Sequence, residues 1–281
     1  MKKAYWLNKK IDLGRLRKTK TLLKSFGLNT VCEEALCPNI SECFYKGIAT
    51  FMIMGKVCTR NCRFCGVNKG KPLSLDPKEP ERIKEAVRKL SLKYVVLTSP
   101  TRDDLSDGGA LFYAKTVSKL KTLNFVEKIE LLIPDFFLNI DSLNIIARCG
   151  ADVIGHNMET VPSLYDKIRP RANYERSLEV LRIIKKINSS IITKSGIMLG
   201  LGENDNEVLR VFGDLRSAGC DFLSIGQYLP PSLKHYPVKE YVLPEKFSYF
   251  REKALSIGFK SVLSAPYVRS SYLADTYFNT C

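Results

Sequence analysis

CEEALCPNISECFYKGIATFMIMGKVCTRNCRFC, residues 32–65, is the stretch from which the rest of the chain can be read. It carries six of the nine cysteines, in two sets of three. Cys32, Cys37 and Cys43 are spaced C-x4-C-x5-C. Cys58, Cys62 and Cys65 are spaced C-x3-C-x2-C. Thiolates are soft ligands suited to iron–sulfur clusters or zinc. Two separated triplets point to two metal centres, each with one position for a ligand other than cysteine. Between them, residues 50–54 form an apolar run that reads as a buried strand, so the second triplet follows a strand end.

Outward from that stretch, the 281 residues are 45% hydrophobic, enough for one large α/β domain or two small ones. There are 44 basic and 29 acidic residues, a net charge of +15. Nucleic acid, an anionic membrane surface or an acidic protein would each suit that balance, and charge alone does not choose. Near the start, the apolar run AYWL is too short for a secretory signal. No stretch approaches the roughly 18–20 apolar residues that span a bilayer. The expectation is a protein of a reducing cytoplasm, where clustered cysteines bind metal or do chemistry rather than form disulfides.

From residue 50 onward strands and helices alternate. Buried-strand runs fall at 50–54, 94–99, 128–133, 152–156, 191–199 and 221–225. Helical stretches fall at 79–90, 109–123, 139–149, 174–188 and 206–218, several opening after Asp, Ser or Asn as caps require. Repeated strand-then-helix units imply a parallel sheet with right-handed crossovers. Six units are too few for a complete barrel, so a partial (β/α)6 TIM-type barrel is expected. Ligands of such sheets bind at the carboxyl ends of the strands. Polar clusters fall there: TSPTRDDLSDGG, HNMET, GLGEND and GQYLPPS.

Structural zinc takes four protein ligands. The second triplet offers three, and the chain has only two histidines, His156 and His235. Three thiolates would instead leave one iron of a cluster open. The CTRNCRFC spacing, with Phe64 directly before the last cysteine, resembles the signature of the radical S-adenosylmethionine (SAM) superfamily. The resemblance implies that Cys58, Cys62 and Cys65 hold a [4Fe–4S] cluster whose open iron is chelated by SAM. It places Phe64 near the adenine and implies that SAM is split to a radical that abstracts hydrogen. It also reads LGLGE (199–203) as a segment passing close to SAM through Gly200 and Gly202. Only glycine permits such an approach without a clashing Cβ. Asn157 and Glu159 would hold the ribose or amino group.

CEEALCPNISEC, CTRNCRFC and VRSSY together resemble the lipoyl synthases within that superfamily. TSPTRDDLSDGGA, HNMETVPSLY, TKSGIMLGLGEND and IGQYLPPSLKHYPVKEYVLPEKF agree, and the likeness runs from about residue 20 to 274. It implies that Cys32, Cys37 and Cys43 hold an auxiliary [4Fe–4S] cluster whose fourth ligand is Ser271. That cluster would supply two sulfur atoms, inserted at C6 and C8 of an octanoyl group on a lysine of a carrier protein, with two SAM consumed. Carriers would be the glycine-cleavage H protein and the E2 subunits of 2-oxoacid dehydrogenases, and flavodoxin or ferredoxin would donate electrons. Neither nucleic acid nor membrane is an expected partner. The corresponding division is an N-terminal extension (1–47), a core (48–260) and a tail closing the auxiliary site (261–281). Ala265 departs from the family pattern, where glycine is more usual before the proline.

Two rival readings remain. One is a radical SAM methylthiotransferase acting on tRNA, which would suit the positive charge. The other is a non-catalytic zinc-binding nucleic-acid module, which needs four-ligand sites that the sequence does not supply. Cys149 and Cys220 read as core residues near helix ends. His235 reads as a loop residue, and Arg269 as a contact for the carrier, a support for the tail or one half of a structural salt bridge.

Overall fold

The computed structural model describes residues 4–7, 13–34, 37, 39–45 and 50–280. Strand β1 (Asn29–Thr30) pairs antiparallel with β2 (Thr50–Met52). Beyond β2 a small separate ladder joins β3 (Val57–Cys58) to β4 (Asn68–Lys69). The main sheet then continues through β5 (Tyr94–Thr98), β6 (Lys128–Leu132), β7 (Val153–Gly155), β8 (Ile192–Leu199), β9 (Phe222–Gln227) and β10 (Ser261–Ser264). From β2 to β10 every neighbour is parallel. This is the expected partial barrel.

All six expected strands and all five expected helices are present, within three residues of the expected bounds. Helices α1 (Leu13–Ser25), α2 (Val31–Glu34) and α3 (Ile40–Tyr45) precede the barrel. The crossovers carry α4 (Glu79–Leu90), α5 (Ala110–Leu120), α6 (Ile140–Arg148), α7 (Tyr165–Ile168), α8 (Tyr174–Ile187) and α9 (Asp205–Ser217). Asn139, Asn173 and Asn204 cap α6, α8 and α9 through their side chains, Asn204 in a reciprocal box with Glu207. The structure adds α10 (Pro244–Ser256) and a seventh parallel strand, β10. Residues 261–264 therefore belong to the sheet rather than to the tail. β10 is four residues long, too short to stand out in the sequence.

The two-residue period of the strands divides their side chains between two environments. Val95, Leu97, Ile129, Leu131 and Ile154 pack with helix residues such as Ile83, Val87, Leu143 and Ile146 in one core. Ile197, Leu199, Leu223 and Ile225 do the same with Phe212, Phe247 and Phe250 in another. The alternate residues Met52, Thr98, Leu132, Met198, Ser224 and Gly226 face an internal cavity.

Below that cavity the interior is closed. Lys194 and Glu130 are both fully buried and paired at 3.0 Å. The Tyr94 hydroxyl donates to the same carboxylate at 2.7 Å. The last short helix, Ala274–Thr280, adds two aromatic rings. Tyr277 stacks on Phe222 with centroids 5.2 Å apart, and its ring lies 4.1 Å from Lys194 Nζ. Phe278 meets Phe222 edge-on and leans against Tyr94. Tyr94 and Phe222 open their strands, so this cluster is a floor at the amino-terminal end of the barrel.

A buried charge that loses its partner is expensive, whereas an apolar pair of similar volume is tolerated. Glu130→Gln is expected to lower unfolding stability by about 3–5 kcal/mol. Glu130→Gln combined with Lys194→Met should recover much of that loss in the same denaturant titration. A second outcome concerns Gly226, where a Cβ would lie 2.0 Å from the carbonyl oxygen of Val268. Gly226→Ala should lift the tail off β9, seen as faster proteolysis after residue 264 with the barrel's far-ultraviolet circular dichroism retained.

Candidate functional site

The second triplet occupies a loop held from several sides. The chain leaves β2 through Met54 and Gly55, both in the left-handed region (φ 66° and 87°). The Glu79 carboxylate accepts from the Met54 amide at 2.8 Å, and the Arg102 guanidinium donates to the Met54 carbonyl at 3.0 Å. Gly70 N–H closes the loop onto the Cys58 carbonyl. Cys58 Sγ accepts from the amides of Arg60 (3.4 Å) and Thr101 (3.3 Å). Farther on, Arg63 N–H donates to Ile168, Tyr236 N–H to Arg63, and His235 Nε2 lies 3.1 Å from the Cys65 carbonyl. His235 is thus a loop residue that braces the triplet.

Arg60, inside the triplet, is buried, though the sequence did not single it out. It forms a two-pronged ion pair with Asp135 (2.6 and 2.9 Å) and another with Asp103 (2.9 Å). Arg176 reaches Asp135 from the other side at 2.8 Å. Burial pushes the Asp135 carboxyl up, but the bonds and charges of Arg60 and Arg176 overcome it and hold Asp135 well below the usual carboxylate range. The cluster ties the cysteine loop to the end of β6.

In the first triplet Cys32 lies in α2, Cys43 in α3 and Cys37 between them. Cys37 N–H donates to the Cys32 carbonyl, and Cys43 N–H to Asn39. The tail arrives from the other end of the chain. Asn39 Nδ2 donates to the Tyr267 carbonyl at 2.5 Å, and Tyr272 donates to the Glu42 carboxylate at 2.9 Å.

All six thiols therefore line one cavity of about 460 Å³, together with Phe64, Asn157, Glu159 and Ser271. Burial and the neighbouring Cys37 and Cys43 push the Cys32 thiol far up, and burial pushes Cys65 to about 12. Such thiols ionise readily only beside compensating cations. Among the described residues no three His, Cys, Asp or Glu side chains converge on a single ion. Three soft thiolates from each triplet facing one cavity are the donor set that an iron–sulfur cluster takes.

Asn157 Nδ2 donates to Glu159 Oε1 at 2.9 Å, and Glu159 has a left-handed backbone (φ 68°). Gly200 and Gly202 do not line the cavity. Gly200 does permit a close approach, but to the chain itself. A Cβ there would lie 2.3 Å from both Gln227 Nε2 and the Glu240 carbonyl oxygen. Gln227 in turn holds Leu199, Tyr228 and Glu240, so Gly200 seats the wall residue Tyr228. Gly202 lies against Lys239.

Two further cavity residues carry buried polar atoms with no partner among the described residues: His156 Nε2 and Arg169 Nε. His156 Nδ1 is engaged by the Ile133 carbonyl at 2.9 Å. Burial, then the charge of Arg169, pull the His156 imidazole down to about 4, so at neutral pH it is an uncharged acceptor. Arg169 spends Nη1 on Asn157, Met158 and Tyr165. One open acceptor and one open cationic donor suit a polar, zwitterionic ligand such as SAM. Sequence spacing held no signal for either.

The Radical SAM superfamily pattern matches residues 52–215. The chain is 54% identical to a lipoyl synthase of Alkaliphilus metalliredigens, over 97% of this chain and 94% of the relative. It is 52% identical to a lipoyl synthase of Geobacter sp. strain M21, over 99% and 95%. Among solved structures, methylornithine synthase superposes with a TM-score of 0.59 at 15% identity, covering 90% of this chain and 72% of that one. The FeFe-hydrogenase maturase of Carboxydothermus hydrogenoformans gives 0.61 at 12% identity, with 89% and 65% covered. At those identities the structural likeness concerns the fold alone. With relatives this similar along nearly its whole length, the chain belongs to the lipoyl synthases of the radical SAM superfamily.

Proposed function

We propose that this chain inserts two sulfur atoms, at C6 and C8, into an octanoyl group amide-linked to a lysine of a lipoyl carrier protein. The observation that carries the reading is the meeting of both cysteine triplets and Ser271 in one cavity. Two [4Fe–4S] clusters and SAM supply the one-electron and radical chemistry and the sulfur. Cys58, Cys62 and Cys65 hold the cluster that binds SAM, with Phe64 packed beside the adenine. Asn157 and Glu159 bind the ribose or amino group, and Arg169 the carboxylate. Cys32, Cys37 and Cys43 hold the second cluster, and Ser271 is its fourth ligand. A serine oxygen is a harder and weaker match to iron than a thiolate, which suits a cluster that gives up sulfur.

The C–H bonds at C6 and C8 have no acidic proton, so no general base is needed. What the chain supplies is placement and dryness. Met52, Leu132, Met198 and Leu229 give the cavity an apolar wall. Burying an octanoyl chain there contributes roughly 5 kcal/mol at about 0.8 kcal/mol per CH2. The net charge of +15 would steer an acidic carrier to the mouth. The H protein and E2 subunits are the carriers we favour, and a flavodoxin or ferredoxin the reductant, in the cytoplasm. Among the described residues no helix is long and apolar enough to cross a membrane. The extension, the barrel and the tail from residue 265 would act as three parts of this one site.

Anaerobically purified protein should carry roughly eight irons and eight sulfides per chain, the content of two [4Fe–4S] clusters. Zinc without sulfide would sink the reading. With SAM, a reductant and an octanoylated carrier, mass spectrometry should find two sulfurs gained. Cys62→Ala is expected to abolish SAM cleavage, whereas Cys37→Ala should keep cleavage and lose sulfur insertion. Equal loss of cleavage in both variants would contradict the division of roles, and modification of tRNA without sulfur gain on the carrier would favour a methylthiotransferase.

A further inference from the structure

The tail touches both halves of the site in alternation. Tyr267 and Tyr272 contact the segment of the first triplet, through Asn39 and Glu42. Between them, Ser270 Oγ donates to Asn157 Oδ1 at 3.1 Å. Asn157 Nδ2 donates onward to Glu159. The Arg269 guanidinium lies within electrostatic reach of Cys37 on one side and Glu159 on the other. Ser271 follows directly and lines the cavity. One strap of six residues is therefore fastened alternately to the two centres.

The Asn157 amide has two ends, and each must meet the right partner. Glu159 Oε1 accepts from Nδ2 at 2.9 Å, which fixes that end of the amide. Oδ1 then faces the tail, and the Ser270 hydroxyl is the donor that satisfies it. The surrounding packing leaves this pair room and little else. Gly196 lies beneath, where a Cβ would come within 3.1 Å of Asn157 Oδ1 and 2.6 Å of Ser224 Oγ. Gly226 lets the Val268 backbone cross β9 close enough for Ser270 to reach inward. Two glycines inside parallel strands, where they weaken the sheet, mark places where something must approach closely.

We propose that Ser270 is a positioning residue that couples SAM binding to the seating of the tail, and hence of Ser271, at the first triplet. The inference rests on the assignment of Asn157 and Glu159 to the SAM site. With the tail in place the Asn157 amide is pre-oriented and SAM binds more tightly. When the tail is displaced, that orientation is lost and SAM binds less well. Coupling of binding free energies is reciprocal, so bound SAM must hold the tail down by the same factor. A chain whose first centre is incomplete would thus bind SAM more weakly, while saturating SAM would still be cleaved.

The test uses the anaerobic holoenzyme. Ser270→Ala should weaken SAM binding in equilibrium dialysis by about fivefold to tenfold, the size of one hydrogen bond, with iron and sulfide content unchanged. Ser270→Thr keeps a hydroxyl and should stay within about twofold of the parent. In the parent, SAM should slow amide hydrogen exchange across residues 267–273, and Ser270→Ala should erase that protection. Asn157→Ala approaches from the other side and should speed exchange of the same segment. Parent-like SAM affinity in Ser270→Ala overturns the proposal, as does tail exchange indifferent to SAM in the parent. If Ser270→Ala loses iron, Asn157→Ala decides, since unchanged tail exchange there overturns the coupling. A fully loaded parent that binds no SAM would instead refute the reading of the second triplet.

Discussion

Seven parallel strands do not close a circle. Among the described residues the sheet runs from β1 to β10 with no pairing between its two ends, so the barrel has an open seam. Unpaired strand edges must be covered or blunted. Here the segments before β2 and after β10 cover them, and they meet across the seam through Asn39 to Tyr267 and Glu42 to Tyr272. In a closed barrel, layers of branched side chains fill the interior. In this one, Gly196, Ser224, Gly226 and Thr98 leave the upper interior open, and the buried Lys194–Glu130 pair closes it below. The opening that a barrel of this size cannot avoid is thus the place where cysteines more than 200 residues distant from Ser271 come to share a cavity with it.

The loop after β2 would otherwise be a mobile carrier of thiols. It is fixed by charges that run inward. Asp135, with no solvent exposure, faces Arg60 and Arg176, and the ring of Phe137 lies 4.6 Å and 5.0 Å from their guanidinium carbons. Phe136, Phe137 and Leu138 all have left-handed backbones (φ 46°, 49° and 59°). Such a run costs on the order of 1–3 kcal/mol per residue. The Asp135 carboxylate holds the Phe137 amide at 3.2 Å while it binds both arginines, so the strained turn and the ion pairs support one another.

The sequence was most legible where a pattern repeats or a spacing is chemically dictated. The strand–helix alternation gives elements within three residues of those found, because fully buried parallel strands and capped helices leave strong local marks. The cysteine spacings were equally plain. What the sequence hid was long-range or positional. β10 is four residues without alternation, Arg60 is a charge whose burial depends on Asp103 and Asp135, and His156 becomes an open acceptor only because Ile133 engages its other nitrogen. The glycines were instructive. Gly200 was legible as a close approach, but not what it approaches, while Gly196 and Gly226 carry no local mark of the tail that crosses beside them.

The aromatic floor has a consequence for how the protein comes into being. Tyr277 and Phe278 are made after every strand they cover. A nascent chain already displays all six cysteines while the Lys194–Glu130 pair is still uncapped and the Asn39 and Glu42 attachments of the tail are unmade. The floor of the interior can therefore reach its final packing only once synthesis has passed residue 278.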